Sequence, residues 1–122
     1  MSSNSKYYPD RNHMVWLDFD PTKGKEIGKY RPALVLSSLS YNLKTGLLIC
    51  CPISTSVRGA STEVFVDNLE VPSVVATTIV QTLSWKDRKV KFIAEAKSGI
   101  IQEVLLKLIP LLGIDEILKD YL

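Results

Sequence analysis

Between Met14 and Phe19 the side chains alternate: Val15, Leu17 and Phe19 fall on one side, Met14, Trp16 and Asp18 on the other. That period of two predicts a half-buried strand. Asp20-Pro21-Thr22-Lys23-Gly24 breaks it and opens a loop of about ten residues, long for an all-β connection and so either functional or mobile. The next run, Ala33 to Ser37, is apolar at nearly every position, which predicts a second strand covered on both sides, as in a barrel wall or beneath a helix. Ser38 to Tyr41 is open between a helical turn and a loop, and Asn42 to Gly46 carries turn chemistry. A third strand is predicted over Leu47–Ile53, a fourth over Thr62–Val66, a fifth as one piece over Val74–Leu83 and a sixth over Val90–Ala94, with Ser84–Arg88 as a turn.

From Ser98 the period lengthens to between three and four. Ile101, Val104, Leu105, Leu108 and Ile109 mark the buried face of a helix, with Ser98 as its N-cap, Gly113 as its stop and Pro110 distorting its last turn. Ile100, Leu106, Leu111 and Leu112 widen the apolar face enough to suggest a second partner surface, such as a dimer interface. A short final helix from Asp115 to Leu122 would place Ile114, Ile117, Leu118 and Tyr121 on one side. Residues 1–13 read as a loose polar arm with aromatic residues at its end. No repeat or linker interrupts the rest, so 1–122 is expected to be one domain with 114–122 as a C-terminal helical extension. The order of short strands followed by a helix gives an α+β, mainly β fold or a small barrel.

Composition narrows the function without naming it. Hydrophobic residues at 46% and charged ones at 23% exclude disorder. No apolar run approaches the ~18 residues of a membrane span, and the polar N-terminus lacks a signal peptide's apolar stretch, so a soluble, cytoplasmic protein is expected. Cys50 and Cys51 are adjacent, hence on opposite faces of a strand, and are read as reduced. With one histidine, His13, no spaced Cys/His set and no phosphate loop leading into a helix, no metal or cofactor is expected. The net charge of +2 is small, but basic residues bunch at Lys23, Lys25, Lys29 and Arg31 and again at Lys86, Arg88, Lys89 and Lys91.

Two groups have the types and placement for chemistry: Arg31 with its lysine-rich, glycine-punctuated loop, and the hydroxyls Ser54, Thr55 and Ser56 with Arg58 after the third strand. Cleaving RNA without a metal needs a 2′-OH in line with its phosphate, a proton acceptor, a proton donor and positive charge for the dianionic transition state. Arginine supplies the last as a permanently charged planar fork, and a serine hydroxyl can donate to the same phosphate. Arg31 is for that reason a poor base, which leaves Glu26 or the RNA's own groups for that role. By pattern alone an arginine before a strand is more often a surface ion pair, the hydroxyls are more often turn formers, His13 reads as structural or solvent-facing, and Trp16 and Trp85 read as core or interface residues or as base-stacking platforms.

The run from Val15 to Ser37, with Asp20-Pro21, Gly24-Lys25-Glu26-Ile27-Gly28-Lys29-Tyr30-Arg31-Pro32 and an apolar strand ending in Ser37, resembles the MazF/PemK family of toxin endoribonucleases. Tyr41-Asn42 to Gly46 and Pro52-Ile53-Ser54-Thr55 extend the resemblance. It implies an SH3-like small β-barrel of five to seven strands with short helices, a homodimer, sequence-selective and metal-independent cleavage of single-stranded RNA, and a cognate antitoxin that blocks the same groove. By position it implies catalytic roles for Arg31, Glu26 and Ser54, the last standing where the family usually has threonine. Lys23, Lys25, Gly28, Lys29, Thr55, Ser56 and Arg58 are then the expected RNA-binding set. Asn12-His13 replaces the family's usual Gly-Asp, and Thr78-Ile79 replaces a common Asp-Gln pair, removing polar groups from the RNA groove. Two other classes stay in view: a toxin of similar fold that inhibits a protein target such as gyrase, and an SH3-like binding module without toxicity.

Overall fold

A computed structural model describes residues 6–121. Seven strands form one curled antiparallel sheet, with three short helices added. The strands are β1 (His13–Asp18), β2 (Tyr30–Val35), β3 (Leu47–Ser54), β4 (Glu63–Val66), β5 (Ser73–Ala76), β6 (Gln81–Ser84) and β7 (Lys91–Glu95). The helices are α1 (Leu39–Thr45), α2 (Ile100–Leu111) and α3 (Ile114–Leu118). Strand order is β4-β5-β3-β2-β1-β7, with β6 also paired to β3.

The curl follows from β3, which serves two partners along one edge. Its first half pairs with β6, from Leu47 opposite Ser84 to Cys50 opposite Gln81, and its end pairs with β5, Ile53 opposite Val75 and Ser54 opposite Val74. The single strand expected over Val74–Leu83 is therefore divided, because one straight strand cannot follow both halves of a bending β3. A 3-10 turn at Thr77–Ile79 makes the corner. Pro52, with no N–H to give, stands where β3 passes from one partner to the other.

Alternation along β1, β2 and β3 produces two apolar clusters, one on each side of the sheet. Met14, Leu34, Cys51 and Ile53 join Val64, Val66, Val75 and, from α2, Val104 and Leu108. Val15, Leu17, Phe19, Ala33, Val35, Leu48 and Cys50 pack with Trp85. β2 is covered on both faces, as its unbroken apolar run required. The adjacent cysteines are free and point into opposite clusters, and burial pushes the Cys51 thiol up to about 12.

Several local expectations are corrected. β2 starts at Tyr30 rather than Ala33, because Arg31 and Pro32 already pair with Leu17 and Trp16 of β1. The segment after Ser37 is a full helix: Ser38 Oγ accepts from the Tyr41 N–H at 3.3 Å, and Gly46 closes it with φ of 73°. Asn42, read as turn chemistry, is a buried hub whose Nδ2 donates to the carbonyls of Pro9 and Ser37 while its Oδ1 accepts from Ser37 Oγ. The arm is tied down from Tyr7 onward, since Arg11 Nε donates to the Leu36 carbonyl, Asp10 Oδ1 accepts from the Leu39 N–H and Tyr7 stacks on His13. Residues 1–5 lie outside the described residues.

α2 is preceded by Gly99, at φ of 97°, with no side-chain cap, so Ser98 is not the N-cap. Pro110 sits in its last turn, where the helix runs on only to Leu111. Leu105 is exposed rather than buried, together with Leu106, Leu111 and Leu112, because the face of α2 turned to the core is that of Ile100, Ile101, Val104 and Leu108. α3 is shorter than expected and exposes Ile114, Ile117 and Leu118, with Tyr121 beyond it also exposed. Leu122, the end of the expected helix, lies outside the described residues. No helix among the described residues is long and apolar enough to cross a membrane.

Candidate active site

The β1–β2 loop is shaped by short-range bonds around Asp20. Asp20 Oδ1 accepts from the Lys29 N–H at 3.0 Å, and Lys29 itself takes a positive φ of 71°. Gly28 passes so close to Asp20 and Thr22 that a Cβ there would collide with Asp20 Oδ1 and lie 3.1 Å from Thr22 Cγ2. That approach aims the Gly28 carbonyl at Arg31, whose Nε–H donates to it at 2.7 Å. Arg31 is half-buried, and this bond fixes its fork from behind while leaving both terminal nitrogens for another acceptor. Arg88 braces the base of the loop: its Nη1 donates to the carbonyls of Asp18 and Asp20, each at 3.0 Å. Part of the second basic cluster is thus structural.

The β2–β3 ladder ends at Ala33 opposite Pro52; Arg31, paired with Leu17 of β1, and Ser54, paired with Val74 of β5, lie just beyond it at the start of one strand and the end of the other, and Arg31 is not among the residues lining the cleft beside Ser54. Ser54 Oγ accepts from the Ser56 N–H at 3.0 Å, which leaves its own hydroxyl proton free to donate outward. Beside it a cleft of about 220 Å³ is lined by Lys25 and Ile27 from the loop, by Ser54, Ser56 and Arg58, by Glu63, and by Thr78 and Ile79 from the 3-10 turn.

The expected site residues therefore divide. Lys25, Ser54, Ser56 and Arg58 line one cleft. Glu26 is turned back on its own loop, its Oε1 accepting from the Lys23 N–H at 2.6 Å, and nothing holds its carboxylate toward Arg31 or Ser54. Lys23 and Lys29 are exposed on the outside of the loop. Thr55 lines a second cleft of about 500 Å³ with Trp16, Pro32, Leu69 and Val71. Trp16 stacks on Tyr30 at 5.5 Å between centroids, and the two are 37% and 45% exposed, so Trp16 is a surface aromatic rather than a core one. His13 is structural: its Nδ1 accepts from the Asp10 N–H and meets Tyr7 Oη at 2.7 Å. Burial, with Asp10 adding to it, raises the Tyr7 hydroxyl well above its ordinary range.

Glu63 was not singled out in the sequence, although it is the carboxylate that lines the Ser54 cleft. Its only sequence signal is an acid following the small, basic run Arg58-Gly59-Ala60-Ser61. Among the described residues no group of three or more His, Cys, Asp or Glu side chains is placed to hold a metal ion.

The match to known proteins follows this geometry. The family model for PemK-like, MazF-like toxins of type II toxin-antitoxin systems matches residues 10–112, so α3 lies beyond it. Over 84 residues the chain is 42% identical to the endoribonuclease toxin MazF of Escherichia coli K12, covering 69% of this chain and 76% of that protein. The crystal structure of MazF from Deinococcus radiodurans superposes with a TM-score of 0.85 at 42% identity, covering 88% of this chain and 99% of that one. A MazE-MazF structure from the same organism matches at 0.77 and 39% identity, covering 88% and 98%. The chain belongs to the PemK/MazF family of type II toxin-antitoxin toxins.

Proposed function

We propose that this toxin is a metal-independent endoribonuclease that cleaves single-stranded RNA, mRNA above all, by attack of a ribose 2′-OH on the adjacent phosphodiester. What supports the reading is that Arg31 and Ser54 stand at neighbouring ends of the paired strands β2 and β3, just past the Ala33–Pro52 pair, with Arg31 held from behind by Gly28 and Ser54 keeping a free hydroxyl proton. Arg31 binds the two non-bridging oxygens and offsets the charge that grows on them, and Ser54 donates to one of those oxygens. The 2′-oxygen forms a bond to phosphorus as the 5′-oxygen leaves, giving a 2′,3′-cyclic phosphate and a 5′-OH. Water protonates the leaving oxygen, and Arg31 stays charged throughout. The 2′-OH proton passes to one of the RNA's own oxygens or to water, or to Glu26 where RNA draws the loop inward and frees its carboxylate from the Lys23 N–H.

Lys23, Lys25, Gly28, Lys29, Thr55, Ser56 and Arg58 then contact the RNA on either side of the scissile phosphate. Around them the curled sheet is read as an SH3-like barrel. The exposed apolar surface of Leu105, Leu106, Leu111 and Leu112 is read as the contact with a second copy, in a cytoplasmic homodimer. A cognate antitoxin protein is a partner, a reading supported by the MazE-MazF complex of Deinococcus radiodurans, and is read as covering the RNA groove. The test is incubation with a long RNA in EDTA. Cutting that leaves 5′-OH ends and disappears in Arg31→Ala supports the proposal. RNA that stays intact while growth stops, as a protein-directed toxin would leave it, or cutting that survives the substitution, refutes it.

A further inference from the structure

The turn after β3 is built around an anion that belongs to the protein itself. Three consecutive backbone N–H groups converge on the Glu63 carboxylate: Arg58 N at 3.2 and 3.3 Å from Oε1 and Oε2, Gly59 N at 2.9 Å and Ala60 N at 3.2 Å from Oε1. Gly59 makes this possible with φ of 74°, the alternation that turns successive amides into a concave anion nest. Glu63 lines the cleft together with Lys25, Arg58, Ser54 and Ser56, two cations and two hydroxyls. The turn also has an independent closure, since the Glu63 N–H donates to the Ala60 carbonyl at 3.0 Å and Glu63 pairs with Ala76 in the β4–β5 ladder. Its shape therefore does not rest on the carboxylate alone.

We propose that the Arg58–Ala60 turn is a phosphate-binding site for the RNA backbone, kept in shape and occupied by Glu63 until a phosphodiester next to the scissile one displaces the carboxylate. This rests on the reading of the chain as an RNA-binding toxin. A phosphate oxygen takes the three amide bonds that Oε1 now accepts, and Arg58 and Lys25 neutralise the phosphate's charge. Glu63 swings out to solvent from the first position of β4 without breaking the ladder. While it stays in place its negative charge opposes RNA entry into the cleft, so it tunes affinity by competing with the substrate.

Binding of a single-stranded RNA is measured by anisotropy in the Arg31→Ala background, where the RNA is not cut, with and without Glu63→Gln. The glutamine keeps an acceptor oxygen and removes the charge. The expected result is a Kd about fivefold lower, as follows from removing one like charge at close range. Gly59→Ala, strained at its positive φ and touching nothing, should raise Kd in the same assay. Independently of any variant at the turn, the amide NMR signals of Arg58, Gly59 and Ala60 should shift when either RNA or inorganic phosphate is added to the Arg31→Ala protein. Unchanged or weaker binding by Glu63→Gln at an unchanged melting temperature overturns the proposal, as do amides that respond to phosphate alone or to neither ligand. Amides that respond to RNA while the wild-type protein fails to cut it would keep this site and remove the enzymatic reading.

Discussion

Gly28→Ala tests whether the loop acts through Arg31. The added Cβ has no room: Asp20 Oδ1 stands inside contact distance and Thr22 Cγ2 at 3.1 Å. Asp20 must rotate away, which breaks its bond to the Lys29 N–H, and the Gly28 carbonyl leaves the position from which it holds Arg31 Nε. Both bonds are at or near the surface, so their loss costs stability only about 1 kcal/mol. On a chain of this size that is a few degrees of melting temperature. Catalysis should suffer more, because a displacement of about 1 Å in a charge-stabilising group is worth up to roughly 100-fold in rate. The expectation is a 30- to 100-fold fall in kcat, about 2 to 2.7 kcal/mol of transition-state stabilisation. KM should change less than about twofold, because the exposed lysines still attract RNA. Steady-state cleavage of a short fluorogenic RNA, alongside thermal melts, separates the two effects. A kcat within twofold of wild type would refute the reasoning, and so would a melting temperature lowered as far as by a core substitution.

Further outcomes are expected elsewhere in the molecule. Asn42→Ala strands the Pro9 carbonyl and Ser37 Oγ in a buried site and should cost about 3 kcal/mol, read as a drop of roughly 10 °C in melting temperature. Arg88→Ala should cost about 1–3 kcal/mol through the two carbonyls it leaves unbonded, and should lower kcat by loosening the loop base, both visible in the same two assays. Cys51 has its thiol pushed from 9.0 up to about 12, so the protonated form is favoured in the folded chain. Its contribution is therefore fully present below pH 9 and is lost as pH rises from 9 toward 12, which urea melts across that range should show; Cys51→Ser should flatten the slope. If the proposed homodimer forms through this face, Leu106→Glu with Leu112→Glu, at residues 63% and 59% exposed, should leave the monomer folded and abolish that dimer in sedimentation. A dimer that persists places the contact elsewhere.

The strands were legible where a single periodicity held. The unbroken run from Ala33 to Val35 announces two covered faces; Val15-Leu17-Phe19 announces one, but Met14 on the other face of β1 is buried as well, in the opposite cluster. What escaped was decided by distant partners. The corner at Thr77–Ile79 hides inside a continuous β-branched stretch because only the two-sided pairing of β3 demands it. Asn42 looks like a turn residue until Pro9, more than thirty positions away, is seen to accept its hydrogen bond. Leu105 has the spacing of a core position, but the covered face of α2 runs through Ile101, Val104 and Leu108 and leaves Leu105 exposed. For the site, the motif named Arg31 and Ser54, and the antiparallel β2–β3 pairing brings the start of one strand beside the end of the other. The cleft could not be read from the chain, since Lys25, Glu63 and Thr78 reach it from a loop, a strand start and a 3-10 turn. Glu26 shows the reverse: its motif position marks it for chemistry, while its carboxylate is spent on Lys23.

The central claim is that Arg31 and Ser54 hold one phosphate between them. Single-turnover cleavage by wild type, Arg31→Ala, Ser54→Ala and the double variant measures it directly, because groups acting on the same oxygens do not add. The account expects each single change to slow cleavage at least about tenfold and the double variant to be little slower than Arg31→Ala alone. Losses that multiply, or a Ser54→Ala enzyme as fast as wild type, would contradict it.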